Sequence, residues 1–221
     1  MRVSRVQAAE NRQSVINTAS RLFRERGFDG IGLKDLMKGA GLTQGAFYKQ
    51  FASKEDLVAQ ASRRALESAS SRWAAAAAAH PEDPLGAVIA FYLSQEHRGE
   101  RMDGCPIVAL GSDAARQGSD VKASFEAGIE AYLGILSGMI DATDDGARKD
   151  KAMAVLSTMV GALTLARVVN DPALAQAFLD TAVDQVRGAV VSRRDGPPRR
   201  SGTPHRSRPG KQRSPSRIAR D

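Results

Sequence analysis

Along this 221-residue chain the apolar side chains return every three or four positions almost without interruption, the repeat of helices that bury one face. Val15, Ile16, Ala19, Leu22 and Phe23 form one such stripe and predict a first helix over about 8–26, with Gly27 as its stop. Leu33, Leu36 and Ala40 predict a second, short helix over 33–40, and Gly41 a turn after it. Thr43 is then a good N-cap for another short helix, whose Phe47 and Phe51 face inward while Gln44, Ala46 and Lys49 face out. Ser53 caps a fourth helix from Lys54, with Asp56 in its first turn, where the macrodipole favours acid. Leu57, Ala61, Ala65 and Trp73 carry this helix into the alanine run 74–79, and it ends near His80 and Pro81. Further helices are expected at about 83–97, 105–117, 121–142, 146–170 and 172–192, separated by proline, glycine and aspartate breaks. No useful length alternates with period two, so the fold class is all-α.

Residues 32–51 carry the chemistry. Two short helices about a glycine turn, the second outwardly polar and inwardly anchored by aromatics, are the parts of a helix-turn-helix that docks in a major groove. Gln44 suits bidentate readout of an adenine edge, Ala46 a thymine methyl, and Lys49 guanine or phosphate. Lys34, Thr43, Tyr48 and Lys54 suit phosphate, which positions a protein without specifying sequence. Lys34 and Lys38 equally fit a solvated face. Gly45 has two readings: a close approach to DNA that a side chain would block, or a helix-packing glycine.

Around this core the segments 19–28 (ASRLFRERGF), 40–48 (AGLTQGAFY) and 51–57 (FASKEDL) follow one another in unbroken register over about sixty residues. Together they resemble the N-terminal domain of TetR/AcrR-type transcriptional repressors. Gly32 departs from that pattern, standing where Ser or Thr usually caps the second helix; glycine is still an acceptable cap. The resemblance implies a helix-turn-helix DNA-binding domain over residues 9–69 and a larger helical effector and dimerisation domain over 70–192. It also implies a homodimer built from the last helix pair, a palindromic double-stranded DNA operator and release by a small-molecule effector of unknown identity.

Charge divides the chain in the same way. Residues 1–60 carry ten Lys/Arg against six Asp/Glu, residues 61–192 twelve against seventeen, and residues 193–221 ten against two. Net charges of +4, −5 and +8 put the positive ends where phosphate is to be met. The segment 193–221, with repeated Pro, Ser and Arg, is expected to be a disordered basic tail, either a non-specific DNA-attracting arm or a passive extension. No apolar run suggests a membrane span, the first twenty residues lack a secretory h-region, and one cysteine forms no internal disulfide. A cytoplasmic, nucleoid-associated protein with no membrane partner is expected.

For the effector domain, Trp73, Phe91, Tyr92, Cys105, Ile107, Phe125, Tyr132, Met159 and Leu163 read as ordinary core or as the lining of an effector pocket. Met153, Leu156, Val160, Leu174, Phe178 and Val183 on the last two helices read as core or as a dimer interface. Cys105, with Pro106 at a first helical position, reads as a small buried hydrophobe. Its sharper alternative is a sensor thiol with a lowered pKa, aided by Arg98 or Arg101. The cluster of Glu96, His97, Arg98, Glu100, Arg101 and Asp103 reads as a solvated helix end. With His80, His97 and His205 scattered, no phosphate loop and no nucleophile elbow, no metal, cofactor or enzymatic activity is expected. A non-specific nucleoid-type binder and a DNA-targeted enzyme are the alternatives to a sequence-specific regulator.

Overall fold

The computed structural model describes residues 4–191, with side chains placed as far as 189. The basic tail expected over 193–221 lies outside the described residues. Among the described residues every regular element is helical. Helix α1 (Arg5–Arg26) starts at Ser4, whose hydroxyl accepts from Gln7 N, and ends at Gly27, where φ is 76°. Helix α2 (Leu33–Gly39) is followed by a 3₁₀ helix, Gln44–Lys49, and then by α3 (Lys54–Ala79). The C-terminal part comprises α4 (Pro84–Tyr92), α5 (Gln95–Gly99), α6 (Pro106–Ala114), α7 (Ser119–Ser137), α8 (Asp145–Val168) and α9 (Pro172–Val191).

One expected helix is broken. The run 83–97 divides because Ser94 accepts from His97 N and so starts a new helix, turning the chain sharply after Tyr92. Elsewhere the expected stripes are the buried ones: Val15, Ala19 and Phe23 on α1, and Leu57, Ala61, Ala65 and Trp73 on α3.

Helix α3 packs against α1 at one end and against α4 and α7 at the other. The 69/70 boundary therefore falls inside a helix, and its buried row runs through Leu66, Ala69 and Trp73 without a gap. Gly128 of α7 lets α3 approach, since a Cβ there would stand 2.7 Å from Leu66 Cδ1. Helices α8 and α9 form an antiparallel pair packed on α7 and α4. By length and composition α8 could cross a membrane, with a mean hydropathy of 1.3 over an eighteen-residue window, contrary to the expectation of no such segment. In this fold it is a core helix with one face left open.

Candidate functional site

The helix-turn-helix is held by local bonds before any tertiary packing is counted. After α2 the chain turns at Gly41, with φ of 72°, and Gly41 N and Leu42 N return to the carbonyls of Lys38 and Met37 at 3.0 and 2.9 Å. This is the paired closure that a left-handed residue after a helix permits. The next helix is one short 3₁₀ segment. Thr43 occupies its N-cap position but makes no side-chain capping bond, so the expected cap is supplied by backbone alone: Ala46 N donates to Thr43 O.

Phe47 anchors that segment, wholly buried, between Tyr48 at 5.3 Å and Phe51 at 5.4 Å. Arg12 of α1 lies over the Phe51 ring and donates to Gln50 O and Gln60 Oε1. Asp56 accepts from Ala52 N and from Gln60, fixing the start of α3. The anchored face leaves Lys34, Thr43, Gln44, Gly45, Tyr48 and Lys49 on the surface, with Ala46 and Lys54 half-buried beside them. Among the described residues the Lys34, Thr43, Gln44 and Lys49 side chains make no hydrogen bond or ion pair, so their polar groups are available to a partner. A Cβ at Gly45 meets no atom within 4 Å, so intramolecular packing does not account for that glycine.

A second cluster lies in the C-terminal part of the fold. Cys105, Trp73, Phe91 and Tyr132 line one small internal cavity of about 10 Å³, together with Tyr92, His97 and Arg72. Trp73 stacks on Tyr132 at 4.4 Å and meets Tyr92 edge-on at 5.4 Å. Ile107, Phe125, Met159 and Leu163, expected with them, do not line this cavity; they pack elsewhere in the core.

His97 is not the solvated residue its neighbours suggest. It is buried, its Nε2 accepts from Cys105 N at 3.0 Å, and its Nδ1 therefore carries the proton and donates to Tyr92 O at 2.7 Å. Burial lowers its pKa, keeping the ring neutral. Periodicity carries no trace of this clamp, because it joins residues across a break between helices.

Cys105 sits at the N-cap of α6 with Pro106 following, as expected. It is buried, and desolvation raises its pKa, so the lowered-pKa thiol is not what the resting fold holds. Arg98 and Arg101 instead line an outer groove. Neither the Tyr92 hydroxyl nor the Tyr132 hydroxyl has a hydrogen-bond partner among the described residues.

Arg24 of α1 joins the two regions. Its guanidinium is buried; Nε donates to Ser20 O at 2.9 Å and Nη1 to Gly104 O at 3.0 Å, one residue before Cys105. Arg21 pairs with Asp103 at 3.0 Å, Arg72 with Glu100 at 2.7 Å, and Phe28 N donates to Asp113 Oδ2 of α6. Helix α1, the residue Phe28 just after it, and α3 are thus stitched to segment 100–105 and to α6.

On α8 and α9, Met153 and Leu174 are exposed, Val160, Phe178 and Val183 are half-buried, and Leu156 lies inside the chain. Leu165 and Val168 add to the open apolar face, which the sequence stripe missed. A groove of about 510 Å³ runs between the two helices past Gly161, Leu165, Leu174 and Phe178.

Residues 15–61 match the family described as bacterial regulatory proteins, tetR family. Over 131 residues the chain is 25% identical to the HTH-type transcriptional repressor NemR of Escherichia coli K12, an alignment spanning 58% of this chain and 66% of that repressor. Over 59 residues it is 37% identical to the HTH-type transcriptional regulator AcrR of Shigella flexneri, 27% of each protein. Both relatives are transcriptional regulators. The fold is shared with the reduced form of E. coli NemR, at a TM-score of 0.69 and 21% identity, covering 82% of this chain and 98% of that one. It is shared likewise with a TetR transcriptional regulator from Chloroflexus aurantiacus, at 0.70 and 24%, covering 85% and 97%.

Proposed function

We propose, from the premise that this chain is a TetR/AcrR-type transcriptional regulator, that it works as a cytoplasmic homodimeric repressor of a palindromic operator. The observation that carries the reading is the row of polar groups at Lys34, Thr43, Gln44 and Lys49, unpartnered among the described residues, beside a wholly buried Phe47. Gln44 and Ala46 then contact base edges, Lys49 a guanine or phosphate, and Lys34, Thr43, Tyr48 and Lys54 clamp phosphates. The open face of α8 and α9, with Met153, Val160, Leu174, Phe178 and Val183, covers itself against a second copy. That pairing sets two readers one helical turn apart, or a multiple of it.

Release follows when an effector favours a non-binding arrangement of the dimer; a hundredfold preference is worth roughly 2.7 kcal/mol. Two inputs reach the same segment. A small molecule that opens the cavity between Trp73, Tyr92 and Tyr132, or a modification of Cys105 in a transiently opened state, displaces Gly104. The Gly104 carbonyl is bonded to Arg24, so the displacement passes to α1 and from there to the reader.

The test is selection from a random-sequence DNA pool at near-physiological salt, followed by sequencing of the retained DNA. One palindromic motif is expected. Retention without a shared motif would instead mean that the basic ends dominate and that the protein is a nucleoid-type binder, and turnover of any substrate would revive a DNA-targeted enzyme.

A further inference from the structure

Between the C-terminal end of α1, helices α5 and α6 and the end of α8 lies an open groove of about 540 Å³, separate from the buried cavity at Cys105. Its size is that of small-molecule sites. Four arginines line it, Arg24, Arg98, Arg101 and Arg167, and among the described lining residues Glu25 alone is acidic.

Helix ends explain part of this. Arg167 donates from Nε to Arg98 O and from Nη2 to the carbonyls of His97 and Glu100, while Arg98 donates from Nε to Ala166 O. Such bonds satisfy carbonyls that helices leave open. They do not use up the donors, since each guanidinium has five N–H groups. Both Arg167 Nη1 donors and both Arg98 Nη2 donors remain unspent, and Arg101 has no partner among the described residues. No carboxylate lies within ion-pair distance of Arg98, Arg101 or Arg167 among the described residues, and Glu25 is already paired with Arg26.

The carbonyl bonds also fix the planes of two guanidinium groups before anything binds. Fixed, forked and unneutralised donors favour a planar oxyanion held bidentately. Val108, Ala109 and the exposed Val168 add an apolar wall to the same groove.

We infer that this groove is a binding site for a small amphipathic organic anion, its carboxylate-like head on Arg98, Arg101 and Arg167 and its apolar body along Val108 and Val168. Because Arg24 belongs to the reader's first helix and Arg167 to α8, an occupant ties the reader to the helix pair proposed as the dimer interface. The regulatory part of this inference rests on the repressor reading; the binding part does not.

The experiment uses the full chain and the fluorescent organic anion 8-anilinonaphthalene-1-sulfonate as probe, with decanoate and uncharged decanamide as competitors. Saturable probe binding is expected, displaced by decanoate and not by decanamide. R101E, at an exposed side chain, should weaken decanoate binding about tenfold with the thermal midpoint unchanged, and R98Q should also weaken decanoate binding. Absence of probe binding, equal displacement by decanamide, or a R101E variant that binds decanoate as the native chain does would each overturn the site. With a pool-selected operator in hand, decanoate should change DNA retention in the native chain and not in R101E. Binding without that change would refute the regulatory part alone. A pool that yields no operator would refute the repressor reading and leave the binding result standing.

Discussion

Arg24→Met is the most telling single change, because it keeps most of the side-chain stem and removes the hydrogen bond to Gly104 O and the ion pair with Asp103 by which this guanidinium ties α1 to the segment preceding Cys105. The Arg24 side chain is 4% exposed, whereas its carboxylate neighbour Asp103 is 51% exposed and 3.7 Å away. The ion pair therefore contributes little, as half-solvated pairs do. The larger loss is the Gly104 carbonyl, which is left buried and unpaired, at a cost of about 2 kcal/mol. For a folded region of this size that corresponds to a fall of roughly 4–8 °C in Tm. Urea and thermal unfolding followed by far-ultraviolet circular dichroism measure it directly. A double-mutant cycle with Asp103→Asn separates the contributions, and coupling below about 0.5 kcal/mol is expected. A total loss under about 0.5 kcal/mol for Arg24→Met, or a coupling energy that accounts for most of the effect, would refute the assignment of the junction to the carbonyl bond.

Three other perturbations test separate parts of the structure. Gly45→Ala should leave stability unchanged or raise it by up to about 1 kcal/mol, since its Cβ enters open space; operator affinity, measured by fluorescence anisotropy, should nevertheless fall at least about tenfold. Gly128→Ala forces a Cβ to 2.7–2.8 Å from three Leu66 side-chain atoms and should cost about 1–3 kcal/mol in urea unfolding, with DNA contacts untouched. His97 titrates below its unfolded value, so the unfolded chain binds the extra proton first. Its contribution is complete above a pH of about 6.5 and declines as pH falls from there toward the folded pKa. The urea midpoint should accordingly drop more between neutral and mildly acid pH in the native chain than in His97→Gln, and equal drops would contradict the neutral, doubly bonded imidazole.

What could be read from the sequence was local. Gly27 and Gly41 adopt the positive φ their positions suggested, Ser53 caps α3, and the Phe47–Phe51 pair is the anchor the spacing implied. These features depend on residues within one or two turns of each other. The break at Ser94 was less visible, because proline, glycine and aspartate mark ends more strongly than a serine inside an apolar run. Contacts between distant segments had no signal at all. His97 and Cys105 meet only because α5 folds back beneath Tyr92, and Arg24 meets Gly104 across eighty positions of chain. A charged, histidine-containing stretch looks solvated until the fold supplies its lid. For the same reason Met159, Leu163 and Phe125 fitted core and lining alike until the fold placed them in the core, away from the small cavity's lining.

Helix α3 sets a limit on how this architecture can be recombined. At 1.5 Å per residue its 26 residues form a rod of about 39 Å, and the buried side of that rod passes from the reader's core to Trp73 with no intervening linker. A helix-turn-helix unit excised at residue 69 would end in mid-helix, before Trp73, on which α4 and α7 pack. Transplanting its specificity onto another sensor therefore requires exchanging the junction itself, the α3 row together with its complement on α7. In this chain the unit of evolutionary or engineered exchange is an interface, and the recognition segment travels only as its passenger.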